Sequence, residues 1–218
     1  MGQAIDVAAA RGWSSTTMAR RVAADLAPYT YVNLGIGLPL RVAAYVDDDA
    51  AVLFHSENGL LGLGAQAGPD MVDLDISDAG KNYATLVDGA SAFDSSLSFA
   101  MVRGRHLDVA VLGAHQVSRT GDLANWYLPG RSPGVGGAMD LALGARRVWV
   151  MMRLLDRQGV CKFVEHCTLP LTARNAVDRV YSEMGVFEIQ AGRVTVGAIA
   201  DGFTLAEIQR HLDFDVVK

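Results

Sequence analysis

The sequence predicts an α/β fold, a sheet covered on both faces by helices. Three observations carry that prediction: short apolar runs recur along the chain, helix signals fall between them, and the stretches that follow the runs are polar and rich in glycine. Within residues 14–26, Met18, Val22 and Leu26 lie four apart behind a Ser/Thr cluster able to cap, which predicts a helix with one apolar face. Pro28 ends it. Tyr31-Val32-Asn33-Leu34 reads as a strand that stops at Gly35-Ile36-Gly37-Leu38-Pro39, and a helix can restart at Pro39, where a missing amide costs nothing. Residues 51–55 predict a second buried strand running into Ser56-Glu57-Asn58-Gly59 and a glycine-spaced stretch through Gly68. Further strands are predicted over residues 83–87, 107–112, 148–152 and 162–167, with a helix over 138–143 between two of them. Residues 120–137 form the longest irregular segment. Residues 186–189 and 194–198 alternate around Ala191-Gly192 as a hairpin, and Thr204 with Glu207 forms a capping-box pattern that opens a final helix.

Composition narrows the function classes. A chain of 218 residues, 50% hydrophobic and 20% charged, buries a large core and is expected to form a single domain over residues 1–218. A net charge of -5 with a pI near 5.5 argues against a nucleic-acid partner. No apolar run approaches the roughly 20 residues that span a bilayer, so no membrane association is expected. The first residues lack a basic start followed by an apolar block, which reads as untargeted and cytoplasmic. Cys161 and Cys167 do not suggest a disulfide framework, and with His166 they match no zinc spacing. Buried structural thiols, and no metal, are expected.

Glu57 stands out locally: it follows an apolar strand, has Ser56 and Asn58 as possible hydrogen-bond partners, and sits beside Gly59, where backbone or ligand can approach closely. Such a carboxylate is either an ordinary solvated or capping acid or a nucleophile or general base. The pair Gly35 and Gly37 lacks the third small residue of a dinucleotide fingerprint, and Gly62 and Gly64 lack a clear helical continuation. Gly134-Val-Gly136-Gly137 precedes a predicted helix and is either a flexible turn or a set of amides that meets an anion. The histidines at 55, 106, 115, 166 and 211 show no ligand spacing, and no Gly-x-Ser-x-Gly elbow is present.

Taken together, residues 33–39 (Asn-Leu-Gly-Ile-Gly-Leu-Pro), 55–59 (His-Ser-Glu-Asn-Gly), 121–126 (Gly-Asp-Leu-Ala-Asn-Trp) and 136–141 (Gly-Gly-Ala-Met-Asp-Leu) resemble the B subunits of 3-oxoacid CoA-transferases, in the same order along the chain. Residues 167–172 (Cys-Thr-Leu-Pro-Leu-Thr) and the Val-Tyr-Ser-Glu at 180–183 extend the likeness. The resemblance implies a three-layer α/β/α CoA-transferase fold and an A-subunit partner in a heterodimer or heterotetramer. It implies no permanently bound cofactor, coenzyme A thioester entering as substrate. It also implies ping-pong transfer of CoA from succinyl-CoA to acetoacetate or 3-oxoadipate through a glutamyl-CoA thioester. Glu57 is then the nucleophile, Asn33, Gly35, Gly37 and Asn58 belong to the substrate and CoA site, and Gly136 and Gly137 give close-approach backbone near the adduct.

Departures from the resembled pattern lie elsewhere. Arg153-Leu154-Leu155 stands where Glu-His-Thr is common, Arg105 where glycine is common, Asp78 where asparagine is usual and Ala173 where a glycine is. Arg105 and Arg153 either bind a second carboxylate or are solvated, and the solvated reading is preferred. An acyl-CoA hydrolase using the same glutamate, a transferase of different acid specificity and a non-catalytic subunit are the alternatives.

Overall fold

The computed structural model describes residues 11–218. Helix α1 (Ser15–Asp25) begins where Ser14 accepts a hydrogen bond from the Thr17 amide, and it buries Met18, Ala19, Val22 and Ala23. Strand β1 (Tyr31–Leu34) runs parallel to β2 (Leu53–Ser56) on one side and to β5 (Val109–Leu112) on the other. Strand β8 (Arg147–Met151) follows parallel to β5, and β10 (Arg179–Tyr181) parallel to β8. These five parallel strands are the centre of a ten-stranded sheet.

Antiparallel strands extend both sides. β3 (Leu60–Gln66) and β4 (Ala84–Ala92) follow β2. The predicted hairpin forms as β11 (Gly185–Gln190) and β12 (Arg193–Ile199), with Ala191 and Gly192 at φ 49° and 77°, the positive values a two-residue primed turn demands. Strand β13 (Val216–Val217) adds to β12 in parallel, so that the order across the sheet is β13-β12-β11-β10-β8-β5-β1-β2-β3-β4. A small second sheet joins β6 (Gln116–Ser118), β7 (Leu123–Ala124) and β9 (Phe163–Val164).

Strand alternation sends side chains to two separate cores. Ala110, Leu112, Val148 and Val150 face one core with Val102 of α2 (Ser95–Arg103), Leu141 of α3 (Ala138–Gly144) and Ile208 of α4 (Leu205–Gln209). Val109, Val111, Trp149 and Met151 face the other with Met18 and Val22 of α1. Helices on both faces of a largely parallel sheet make the expected three-layer arrangement.

Several local expectations are corrected. The glycine-spaced stretch after Glu57 is strand β3, because Gly62 and Gly64 let β4 approach too closely for a side chain: a Cβ at Gly62 would sit 2.9 Å from that of Ala90. Helix α2 carries no apolar residue in its first two positions and depends on its Asp94 cap, whose carboxylate accepts from the Leu97 amide. The segment opening near Pro39 is a 3-10 helix (Leu38–Tyr45). The strand expected over 162–167 shrinks to β9 and leaves the main sheet, while β2 begins only at Leu53, after Ala51 at φ 50°. The capping box at Thr204 and Glu207 forms in full, on a helix of 5 residues.

The contact between α2 and α3 needs a missing side chain. A Cβ at Gly144 would overlap the Val102 carbonyl oxygen and lie 2.8 Å from Val102 Cγ1. Gly144→Ala is therefore expected to destabilise the protein by about 1–3 kcal/mol through overpacking. The midpoint of urea unfolding reads this, and an unchanged midpoint would show that the two helices separate freely.

Candidate active site

Ser56 ends β2, and the next residues turn the chain back into β3: the Gly59 amide donates to the Ser56 carbonyl at 2.9 Å, which puts Glu57 and Asn58 at the apex. Gly59 holds φ 115°, and a Cβ there would overlap the Phe93 carbonyl, so only glycine closes this turn. Asn58 ties the apex down from outside through Nδ2 to the Ser77 carbonyl, 2.8 Å. Glu57 is left half-buried, facing the side of the sheet on which α2 and α3 pack.

Beneath it lies a buried polar chain. Asn33 and His55 are register partners on adjacent parallel strands, and both are essentially excluded from solvent. Asn33 Nδ2 donates to the His55 carbonyl and lies 3.1 Å from His55 Nδ1. Nδ1 is thus the acceptor and Nε2 carries the proton, which it donates to Ser98 Oγ of α2 at 2.9 Å. Burial pushes the His55 pKa down to about 4, so the ring is neutral at pH 7. Asn33 Oδ1 has no partner.

Burial raises the pKa of Glu57, and the facing Gly137 backbone amide pulls the other way. A Cβ at Gly137 would lie 2.8 Å from Glu57 Oε2 and 2.9 Å from the Phe99 ring, and one at Gly136, where φ is 48°, would lie 4.0 Å from Glu57 Oε1. The backbone of this loop thus occupies the space a side chain would need. With only 7 residues in α3, the single Gly137 amide matters here, not a helix dipole.

In front of Glu57 opens a cleft of about 1460 Å³. It is walled by the residues just past β1, β5 and β8, namely Gly35, Gly113 and Met152, by Leu38 and Pro39, and by residues 134–138. Ligand sites in open α/β sheets lie at these carboxyl ends of parallel strands. Of the residues singled out from sequence, Glu57, Gly35, Gly136 and Gly137 border the cleft. Asn33, Gly37 and Asn58 do not: Asn33 supports from below, Asn58 braces the turn, and Gly37 stands at φ 97° ahead of the 3-10 helix. Arg153 borders the cleft, whereas Arg105 is exposed ahead of β5, toward the other end of the strand.

Sequence reasoning does not single out Ser98, which follows the Asp94 cap by four residues, nor His115, Arg131 and Lys162, which the fold alone brings to the cleft. Cys161 and Cys167 are half-buried free thiols, pushed up to about 11 and about 12 by burial. They are poor nucleophiles in that state. Among the described residues no three His, Cys, Asp or Glu side chains gather as a metal ligand set, and no helix is long and apolar enough to cross a membrane.

The three-layer fold thus presents a partly desolvated carboxylate on the turn after a parallel strand, pressed against glycine backbone beside an open cleft. The chain belongs to the coenzyme A transferase family, whose model matches residues 15–210. It is 49% identical over 204 residues to the B subunit of the 3-oxoadipate CoA-transferase of Pseudomonas putida, covering 93% of this chain and 91% of that protein. It is 44% identical over 195 residues to the B subunit of the succinyl-CoA:3-ketoacid coenzyme A transferase of Helicobacter pylori, covering 89% and 94%. The fold is similar to that of an acyl-CoA transferase (YdiF) from Escherichia coli O157:H7, with a TM-score of 0.74 at 19% identity; the match covers 94% of this chain and 42% of that longer one.

On the reading proposed below, in which the Glu57 carboxylate reacts, Gly137→Ala should lower turnover by about 100-fold or more, because the Gly137 backbone already fills the space beside Glu57 and a displacement of the carboxylate by even an ångström costs that much. Unaltered turnover would mean that the loop moves aside without penalty. His55, neutral in the folded protein at pH 7, takes up a proton more readily when unfolded. Its contribution to stability is therefore present above pH 6.5 and is lost as pH falls from there toward about 4. His55→Gln should shallow the decline of the urea midpoint over that window, and an identical pH profile would remove His55 from the account.

Proposed function

We propose that this chain is the nucleophile-bearing B subunit of a 3-oxoacid CoA-transferase that works with a separate A subunit and moves CoA from succinyl-CoA to a 3-oxoacid. The observation that carries the reading is the pairing of a half-buried Glu57 carboxylate with the Gly137 backbone at the mouth of the cleft. The names of the similar B subunits support the reaction class and the A-subunit partner.

In the proposed reaction a Glu57 oxygen attacks the thioester carbonyl of the donor. The C–S bond breaks, CoA leaves as thiolate, and an acyl-glutamyl anhydride forms. The thiolate then attacks the Glu57 carbonyl of that anhydride, releasing the donor acid as carboxylate and leaving CoA on Glu57 as a thioester. The acceptor carboxylate attacks this thioester and expels the thiolate, which attacks the acceptor carbonyl of the new anhydride and frees Glu57. No water and no net proton enter, so each thioester is exchanged for another of similar energy. CoA comes and goes as substrate, and no resident cofactor takes part.

The raised pKa of Glu57 suits the role, because a desolvated carboxylate is a stronger nucleophile than a solvated one. Gly137 contributes an amide facing the reacting carboxylate, where negative charge develops on the carbonyl oxygen of the adduct. Asn33, His55 and Ser98 hold the end of β2 and thereby the nucleophile. The unpaired thiols fit a reducing cytoplasm.

The test is mass spectrometry of the complex co-expressed with its A subunit, incubated with succinyl-CoA and reduced with borohydride. Conversion of the Glu57 carboxyl to an alcohol, with turnover abolished in an assembled Glu57→Ala complex, is the expected result. Full turnover in Glu57→Ala would sink the reading, and CoA release without any acceptor acid would make the protein a hydrolase instead.

A further inference from the structure

A second cavity, of about 620 Å³, lies between α2 and strands β1, β2 and β3, at the opposite end of the sheet from the cleft. Its floor is formed by His55, Leu61, Met101 and Leu107. Both ring nitrogens of His55 are engaged, one by Asn33 and the other by Ser98, so the imidazole offers the cavity only ring carbon. The side chains of the floor are therefore apolar in what they present. The rest of the lining, Tyr29, Tyr31, His106, Asp108 and Arg146, carries polar tips. An apolar pocket with a few placed polar groups at its mouth is the usual form of a small-molecule site, and the volume is in the usual range.

The mouth is built rather than left over. Asp108 accepts the Tyr31 amide at 2.9 Å through Oδ2 and Arg146 Nη1 at 3.0 Å through Oδ1, and the Arg146 amide donates to the Leu107 carbonyl at 3.0 Å. The Asp108 carboxylate is thus spent on two donors, whereas the other guanidinium N–H groups of Arg146 make no hydrogen bond among the described residues. Tyr31 is 41% exposed and Tyr29 82%. Tyr29 is held at φ 61°, a costly conformation for an aromatic residue, and its amide donates to the Ala50 carbonyl at 3.1 Å. Backbone strain that leaves a bare ring at a cavity mouth serves binding better than it serves packing. By strand register Tyr31, Asp108 and Arg146 lie level, and His55 lies two residues further along, about 7 Å deeper. That depth takes a flat ring between apolar floor and cationic mouth. A rigid ring gives up little freedom on binding and packs on the tyrosines, and the planar guanidinium fork suits a carboxylate in the plane of the ring.

We propose that this cavity is a second ligand site that takes a planar aromatic carboxylate of one or two rings, with the rings on His55, Leu61 and Met101 and the carboxylate on Arg146. The site stands independently of the transferase reading. Its occupant would rest on the imidazole that ties Asn33 to Ser98, two residues before Glu57.

Calorimetric titration tests the site, with 2-naphthoate as the probe and 2-naphthalenemethanol as its neutral analogue, on the chain both with and without its A subunit. Naphthoate is expected to bind in both cases. Arg146→Gln should weaken it roughly 10- to 100-fold, the value of a hydrogen bond to a charged group, and leave the affinity for the alcohol unchanged. Leu61→Trp, which fills the floor, should abolish binding of both. Arg146 is exposed, so its variant keeps the test standing if Leu61→Trp fails to fold. In crystals soaked with 6-bromo-2-naphthoate, anomalous scattering should place the bromine between α2 and β2. Absence of naphthoate binding, an Arg146→Gln variant that binds it as the unaltered chain does, or bromine only in the cleft beside Glu57 overturns the proposal. Binding to the chain alone that vanishes once the A subunit is added also overturns it, and would assign the cavity to the contact between subunits.

Discussion

Everything at this site turns on keeping a carboxylate poorly solvated without neutralising it. Burial alone drives Glu57 toward its protonated form, in which it could not make the attack proposed for it. A nearby lysine or arginine would restore the charge but would also stabilise it and blunt its nucleophilicity. The fold supplies a weaker counterweight, one backbone amide from Gly137, and the buried histidine at the end of the same strand stays neutral. That His55 is neutral follows from its burial between Asn33 and Ser98, where imidazolium would lack a compensating anion.

The remaining architecture can be read as the means of holding that balance. Asn33 and His55 lie side by side because β1 and β2 are parallel and in register, and Ser98 reaches them because α2 packs on that face. Helix α3 packs on α2 through Gly144, and so carries the Gly136-Gly137 loop up to Glu57. The turn at Gly59 and the Asn58 brace fix the apex from the other side. Four separated stretches of sequence thus meet at one carboxylate, each through backbone or a short side chain with little freedom to lose.

Much of this is legible in the sequence. The strand before Glu57 and the turn it occupies follow from an apolar run and glycine placement, because a short buried strand and a positive φ leave strong local marks, whereas the place of Gly136 and Gly137 near Glu57 is implied only by the family resemblance. Strand β3 is hidden for the same reason, since Gly62 and Gly64 resemble a loop until β4 packs against them. Helix α2 starts on serines, and its Asp94 cap is a weak signal on its own. Asn33 belongs near Glu57 as its sequence context suggests, but its contacts run to His55, because the direction of a side chain depends on the neighbouring strand's register. The cations of the cleft leave little local mark: Arg153 stands out only as a departure from the resembled pattern, and Arg131 and Lys162 come to the same cleft through the fold alone.

The cleft has two opposite demands placed on it, and they bear on why such a site would be divided between two chains. The anhydride and thioester of the proposed reaction would survive on Glu57 only if water were kept away, yet a space of about 1460 Å³ is far too roomy for this chain to dry by itself. Its rim offers apolar side chains in place of a lid: Ile36 is 63% exposed and Val135 36%, both on the lining, with Leu38 and Pro39 beside them. Apolar surface left bare around a reactive carboxylate is surface built to be covered. Under the proposed reading the A subunit would supply the cover, and water would be excluded only once both chains and the substrate of each half-reaction are in place.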